Sequence, residues 1–143
     1  MSNTRTRARR LAMQGLYEWH VSHNAPPDVL LHLHEEQDMK NVDREYLSEL
    51  VLTIPKHVDE LDVLLSPFLS RGLAEIDPVE LAIMRLAAYE FVHRLDIPYR
   101  VVINEAVELT KKFGAEQSHK FVNGVLDKVA MQVREIEIKA KSK

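Results

Sequence analysis

Along this chain the apolar residues return at intervals of three and four, and the alternating runs that build half-buried strands are absent. Such a chain has few options. Its helices must bury their apolar stripes against one another, so the expected fold class is all-α. The stretch 79–92 narrows the choice further, because it is apolar on nearly every side: Ile83, Leu86 and Ala87 on one flank, Leu81, Met84, Ala88 and Phe91 on another. A helix of that kind is central to a bundle or covered by a partner, and its polar residues Glu80, Arg85 and Glu90 need partners of their own. Intramolecular ion pairs are the expected partners of Arg85 and Glu90.

The breaks between helices follow from local chemistry. A first helix over 4–23 is stopped by Asn24-Ala25-Pro26-Pro27, and a short helix over 28–37 turns Val29, Leu30 and Leu33 inward. Asp43 is placed to cap a third helix, whose run of Tyr46, Leu47, Leu50, Val51, Ile54, Val58, Leu61 and Leu65 is interrupted at Pro55, where a kink or break is expected. Asp77, Pro78 and Glu80 read as N-cap, N1 and N3, a capping box with an acidic cap. A helix over 99–113 buries Val102, Ala106, Leu109 and Phe113, exposes a Glu108–Lys112 pair and stops at Gly114, a natural residue for the C′ position. The last helix starts near Ser118, read as its N-cap, and turns Val122, Val125, Leu126, Val129 and Val133 inward; the tail over 137–143 is expected to fray.

At 143 residues, 45% hydrophobic and 29% charged, the chain reads as one soluble domain covering 1–143. No apolar run is long enough to span a bilayer, and the N-terminus lacks the apolar core of a secretory signal, so no membrane role is expected. The absence of cysteine excludes disulfides, thiol catalysis and cysteine-bound zinc, and fits a cytoplasmic location.

The charge distribution points to function. The first ten residues, MSNTRTRARR, carry four arginines and no acid on a chain whose net charge is −3. A basic tip on an acidic body is a local device for holding a polyanion. On a helical wheel Ala8, Leu11, Ala12, Gly15, Leu16 and Trp19 fall on one side, and Arg7, Arg10, Gln14 and Tyr17 on the other. The outer stripe joins phosphate donors, an amide able to read a base edge and a ring able to stack, which is the mixture that recognises single-stranded RNA. Charge alone would equally suit a solvated basic terminus; Gln14 and Tyr17 tip the balance modestly towards RNA.

Other polar groups carry less. His32 and His34 diverge by about 200° on a helix, so with His20 and His23 they read as surface histidines, and no metal or cofactor is expected. Ser118-His119 near Asp127 lacks the geometry of a nucleophile and its base, and no phosphate loop is present, so no enzyme is expected. The loop AEQSHK, with Ser118, His119 and Lys120 as donors at a helix N-terminus, suits a phosphate as well as it suits an ordinary capped turn.

Taken together, Arg9-Arg10 with Ala12, Gln14, Leu16-Tyr17 and Trp19, then DPVELAIMRLAAYE at 77–90, DIPYRVVINEAVEL at 96–109 and KFGAEQSHKFVNGVLDK at 112–128 resemble the NusB transcription antitermination factors over essentially the whole chain. The resemblance implies two packed three-helix bundles. It implies pairing with the small-subunit ribosomal protein NusE, binding of the boxA element of nascent RNA, and assembly with other Nus factors on RNA polymerase in ribosomal RNA operons. It places RNA contacts at Arg5, Arg7, Arg9, Arg10, Gln14 and Tyr17, at Phe68, and at Gln117, Ser118, His119 and Lys120. It places the NusE side around Glu80, Glu105 and Glu108. It leaves open a homodimer that hides the RNA surface.

Three positions depart from the family pattern. Gln117 stands where many members have Asp, Pro55 interrupts a helix that others run through, and Gly15 replaces a better helix former. Two other readings stay open. One is an RNA-independent protein adaptor of the transcription complex. The other is the RNA-binding appendage of a ribosomal RNA cytosine methyltransferase, for whose catalytic domain this chain leaves no room.

Overall fold

The computed structural model describes residues 3–141, and every regular element among them is helical. In chain order these are α1 (Asn3–Ser22), α2 (Pro26–Glu36), α3 (Arg44–Thr53), α4 (Val58–Leu65), α5 (Pro78–His93), α6 (Tyr99–Phe113), α7 (Ser118–Val133) and α8 (Glu135–Lys141), with short 3-10 turns at Ile54–His57, Ser66–Phe68 and Leu73–Glu75. The chain divides into two compact units, one ending at Val58 and the other beginning at Asp59.

In the first unit α1, α2 and α3 pack against one another. The stripe Ala8, Leu11, Ala12 and Leu16 is buried with Val29 and Leu33 of α2 and Leu47, Leu50 and Val51 of α3; each large side chain removed from water contributes about 1.5–3 kcal/mol. Gly15 belongs to this contact: a Cβ there would lie 3.0 Å from Leu33 Cδ1 and 3.1 Å from Val29 Cγ1. The lower helix propensity of glycine is thus exchanged for close approach. Asp43 caps α3 as expected, its carboxylate accepting the Tyr46 N–H at 3.0 Å. Its own N–H donates to the Thr4 carbonyl at 3.1 Å, which pins the start of α3 to the start of α1. Pro55 lies in the 3-10 turn Ile54–His57 that follows α3, at the expected break.

In the second unit α5 is the central helix, buried at every position from Glu80 to Phe91 and packed on α6 and α7. Arg85 meets Asp62 in a two-pronged ion pair, Nε to Oδ1 at 2.9 Å and Nη2 to Oδ2 at 2.8 Å, the intramolecular partner its burial demands.

Several local expectations are corrected. The tail does not fray from residue 137: Glu135–Lys141 forms α8. Its Glu137 accepts the Tyr99 N–H at 3.0 Å, supplying from a distance the cap that Pro98 cannot give to α6. Arg134, only 4% exposed, aims its guanidinium at the carbonyls of Glu90, Phe91 and Arg94 and pairs with Glu137. Phe113 is 41% exposed because it ends α6 just before Gly114, past the last turn that packs inward. Glu108 pairs with Lys111 at 3.5 Å instead of Lys112.

Gly114 does end α6, but at φ −86°, so the left-handed freedom of glycine is not used. The requirement is space: a Cβ would stand 2.9 Å from the Thr110 carbonyl oxygen and 2.9 Å from its Cγ2, and Thr110 is itself fully buried. Gly114→Ala is therefore expected to destabilise the protein by about 1–3 kcal/mol, read as a lower midpoint in urea unfolding followed by circular dichroism. An unchanged midpoint would mean that the turn relaxes around the methyl group.

Candidate nucleic-acid interface

On α1 the spacing 7, 10, 14, 17 places four polar side chains on the face opposite the buried stripe. Arg7, Arg10 and Gln14 are half-buried and Tyr17 is 40% exposed. None of the four is closed off from solvent within this unit.

Of the four arginines that the resemblance assigns to RNA, Arg9 is the buried one. It is 4% exposed, with its guanidinium over the Tyr46 ring at 5.6 Å. Position 9 lies one residue past the stripe's edge, so its side chain enters the α1–α3 contact. Arg5 stands over the same ring at 4.7 Å, and its Nε lies 3.9 Å from Asp43 Oδ2. Attraction of both guanidinium groups to the Tyr46 ring ties the start of α1 to α3. Sequence reasoning misses Tyr46 and Asp43 in this role. Their one local signal is the spacing at a helix start, and that spacing speaks only of a cap.

Beyond Tyr17, the Glu18 carboxylate joins α1 to the next segment. It accepts from Asn24 Nδ2 at 3.0 Å and lies 3.0 Å from His32 Nδ1. The Asn24 bond, with His32 second, holds Glu18 below its ordinary pKa; the Glu18 hydrogen bond lifts His32 above its own. The expected surface histidine is thus tied to an acid.

In the second unit, Gln117 occupies the N-cap position of α7 at φ 71°, a left-handed conformation that favours glycine and asparagine, and its side chain caps nothing. Ser118 is correspondingly the first helical residue and not the cap. Its hydroxyl donates to Glu80 Oε2 at 2.6 Å. This bond corrects the capping-box reading of Glu80. The residue is 6% exposed within this unit, and its carboxylate accepts from Ser118 of α7. The α5 N-terminus is capped by Asp77, which accepts the Val79 N–H at 2.9 Å. His119 is half-buried, and Gln117 and Lys120 are exposed. Phe68, half-buried, ends the 3-10 turn that packs against α7. On α6, Glu108 is exposed and Glu105 half-buried.

Fold and side chains define an all-helical protein whose polar chemistry lies along helix faces. The profile of the NusB family matches residues 6–131. The transcription antitermination protein NusB of Pasteurella multocida is 53% identical over 126 residues, 88% of this chain and 88% of that protein. That of Saccharophagus degradans is 53% identical over 137 residues, covering 95% and 91%. Among solved structures, T. maritima NusB aligns with a TM-score of 0.76 at 31% identity, covering 91% of this chain and 92% of that one. A chain in a crystal structure described as a plectonemic RNA supercoil aligns with a TM-score of 0.83 at 30% identity, covering 90% and 95%. The chain belongs to the NusB family of transcription antitermination factors. Among the described residues no helix is long and apolar enough to cross a membrane.

Proposed function

We propose that this protein binds the boxA element of nascent RNA together with the ribosomal protein NusE, and with other Nus factors holds RNA polymerase in an elongating state through ribosomal RNA operons. It acts in the cytoplasm as a binding factor and performs no catalysis. The observation that carries this reading is the accessible stripe Arg7, Arg10, Gln14 and Tyr17, which offers charge, edge hydrogen bonding and stacking on one helix face. The exposed Lys120 and the half-buried His119 and Phe68 add a cation, a ring donor and an aromatic from the second unit. With Glu80 turned inward, Glu108 and Glu105 on α6 remain as the acidic contacts for NusE.

A titration of labelled boxA RNA and a scrambled strand, each with and without NusE, tests the reading. Tighter binding of boxA than of the scrambled strand is expected, strengthened by NusE, with an affinity that falls steeply as salt rises. Equal and weak affinity for both strands in every arm would favour the RNA-independent adaptor.

A further inference from the structure

We propose that Ser118 is a specificity-determining residue that takes a hydrogen-bond donor from a nucleotide, an amino group of a base or a ribose 2′-hydroxyl, and does not bind phosphate. The inference rests on the RNA-binding reading above and assigns the chemistry of one contact within it.

A serine hydroxyl has one proton to give and two lone pairs to receive with. Here the proton is committed within the protein: Ser118 Oγ donates to Glu80 Oε2 at 2.6 Å, a distance typical of a strong hydrogen bond to a carboxylate. Glu80 is buried on the first turn of α5, so the acceptor is fixed by the core of the unit and does not swing away with solvent. Ser118 itself stays half-exposed. What it still offers to a ligand is oxygen lone pairs. Phosphate oxygens also present only lone pairs, so the two repel. A base amino group or a 2′-hydroxyl brings a proton and completes the site. The 2′-hydroxyl would mark the strand as RNA; the amino group would select among bases. Withdrawing the hydroxyl from Glu80 to reach a phosphate would strand a buried carboxylate, a costly exchange. In place of the expected Ser118 phosphate donor, the groups near it that can donate to a phosphate are the Lys120 ammonium and the His119 ring.

The test is an affinity scan with synthetic boxA RNA carrying one change at a time: 2′-deoxyribose at each position, a base without its amino group (purine for adenine, hypoxanthine for guanine, pyrimidin-2-one for cytosine), or a methylphosphonate linkage. Wild type, Ser118→Ala and Ser118→Thr are compared, with helicity checked by circular dichroism. Wild type is expected to lose about five-fold at one position when a single amino group or 2′-hydroxyl is removed. Ser118→Ala should show no further loss at that position, and Ser118→Thr, which keeps the hydroxyl, should regain the sensitivity. The deoxyribose and amino-free base arms tell the two donors apart. Coupling of Ser118→Ala to a methylphosphonate instead, or coupling at no position, overturns the proposal while leaving RNA binding intact. Failure of wild type to prefer unmodified boxA over scrambled RNA would overturn the functional reading as well.

Discussion

Arg134→Met is expected to destabilise the protein by about 3 kcal/mol, a large share of the stability of a domain this size. The guanidinium donates from Nε to the Phe91 carbonyl at 2.9 Å and from Nη2 to those of Glu90 at 3.2 Å and Arg94 at 3.1 Å. These carbonyls lie in the last turn of α5 and just past it; those of Glu90 and Arg94 also accept the Arg94 and Ile97 N–H groups at 3.1 and 3.0 Å, whereas that of Phe91 depends on the guanidinium. The group is also positive at the negative end of the helix dipole. Methionine fills much of the volume but leaves the buried Phe91 carbonyl without this donor, at about 1–3 kcal/mol, and removes the second donor from the carbonyls of Glu90 and Arg94. It also deprives Glu137 of its cation, and Glu137 in turn caps α6 through the Tyr99 N–H. Arg134→Lys should recover little of this, because an ammonium cannot reproduce the planar fork. Urea unfolding followed by circular dichroism measures the effect; a loss under about 1 kcal/mol would show that water replaces the guanidinium.

The second large effect is on RNA. Arg7→Ala with Arg10→Ala is expected to reduce boxA affinity by at least about ten-fold at moderate salt and to flatten the salt dependence by roughly 0.7 for each phosphate no longer neutralised. Stability should move by no more than about 0.5 kcal/mol, because both side chains lie on the accessible face of α1. Arg9→Ala makes the informative contrast. Its guanidinium is buried against Tyr46, so its removal should lower stability and affect RNA mainly through loosening of α1. If the double variant binds boxA as tightly as wild type across a salt titration, the stripe is not the RNA contact.

These two predictions differ in how much of them is legible in sequence. The α1 stripe is, because a helix repeats its faces within four residues and both faces lie in one short segment. The caps at Asp43 and Asp77 and the break around Pro55 are legible for the same reason: each depends on neighbours two or three residues away. The Arg134 bonds are not. Arg134 and Phe91 are 43 residues apart, and nothing local distinguishes a cation that caps a distant helix from one in a solvated tail. Glu80 and Ser118, 38 residues apart, mislead in the same way. Each has a satisfactory local explanation as a cap, and the tertiary bond between them displaces both. Arg9 fails on angle: beside an outward stripe, one residue's rotation about the helix decides between water and the Tyr46 ring.

Position 15 carries a consequence for that stripe. With only a hydrogen facing Val29 and Leu33, the first helix settles deep into its bed, and the depth of that seat sets how far the guanidinium groups on its opposite edge project. An added methyl beneath would press on the Leu33 and Val29 side chains, and whatever they do not yield the helix must take up by rising. Reach towards a bound strand is thus governed partly from the buried side, by the bulk of a residue no ligand touches.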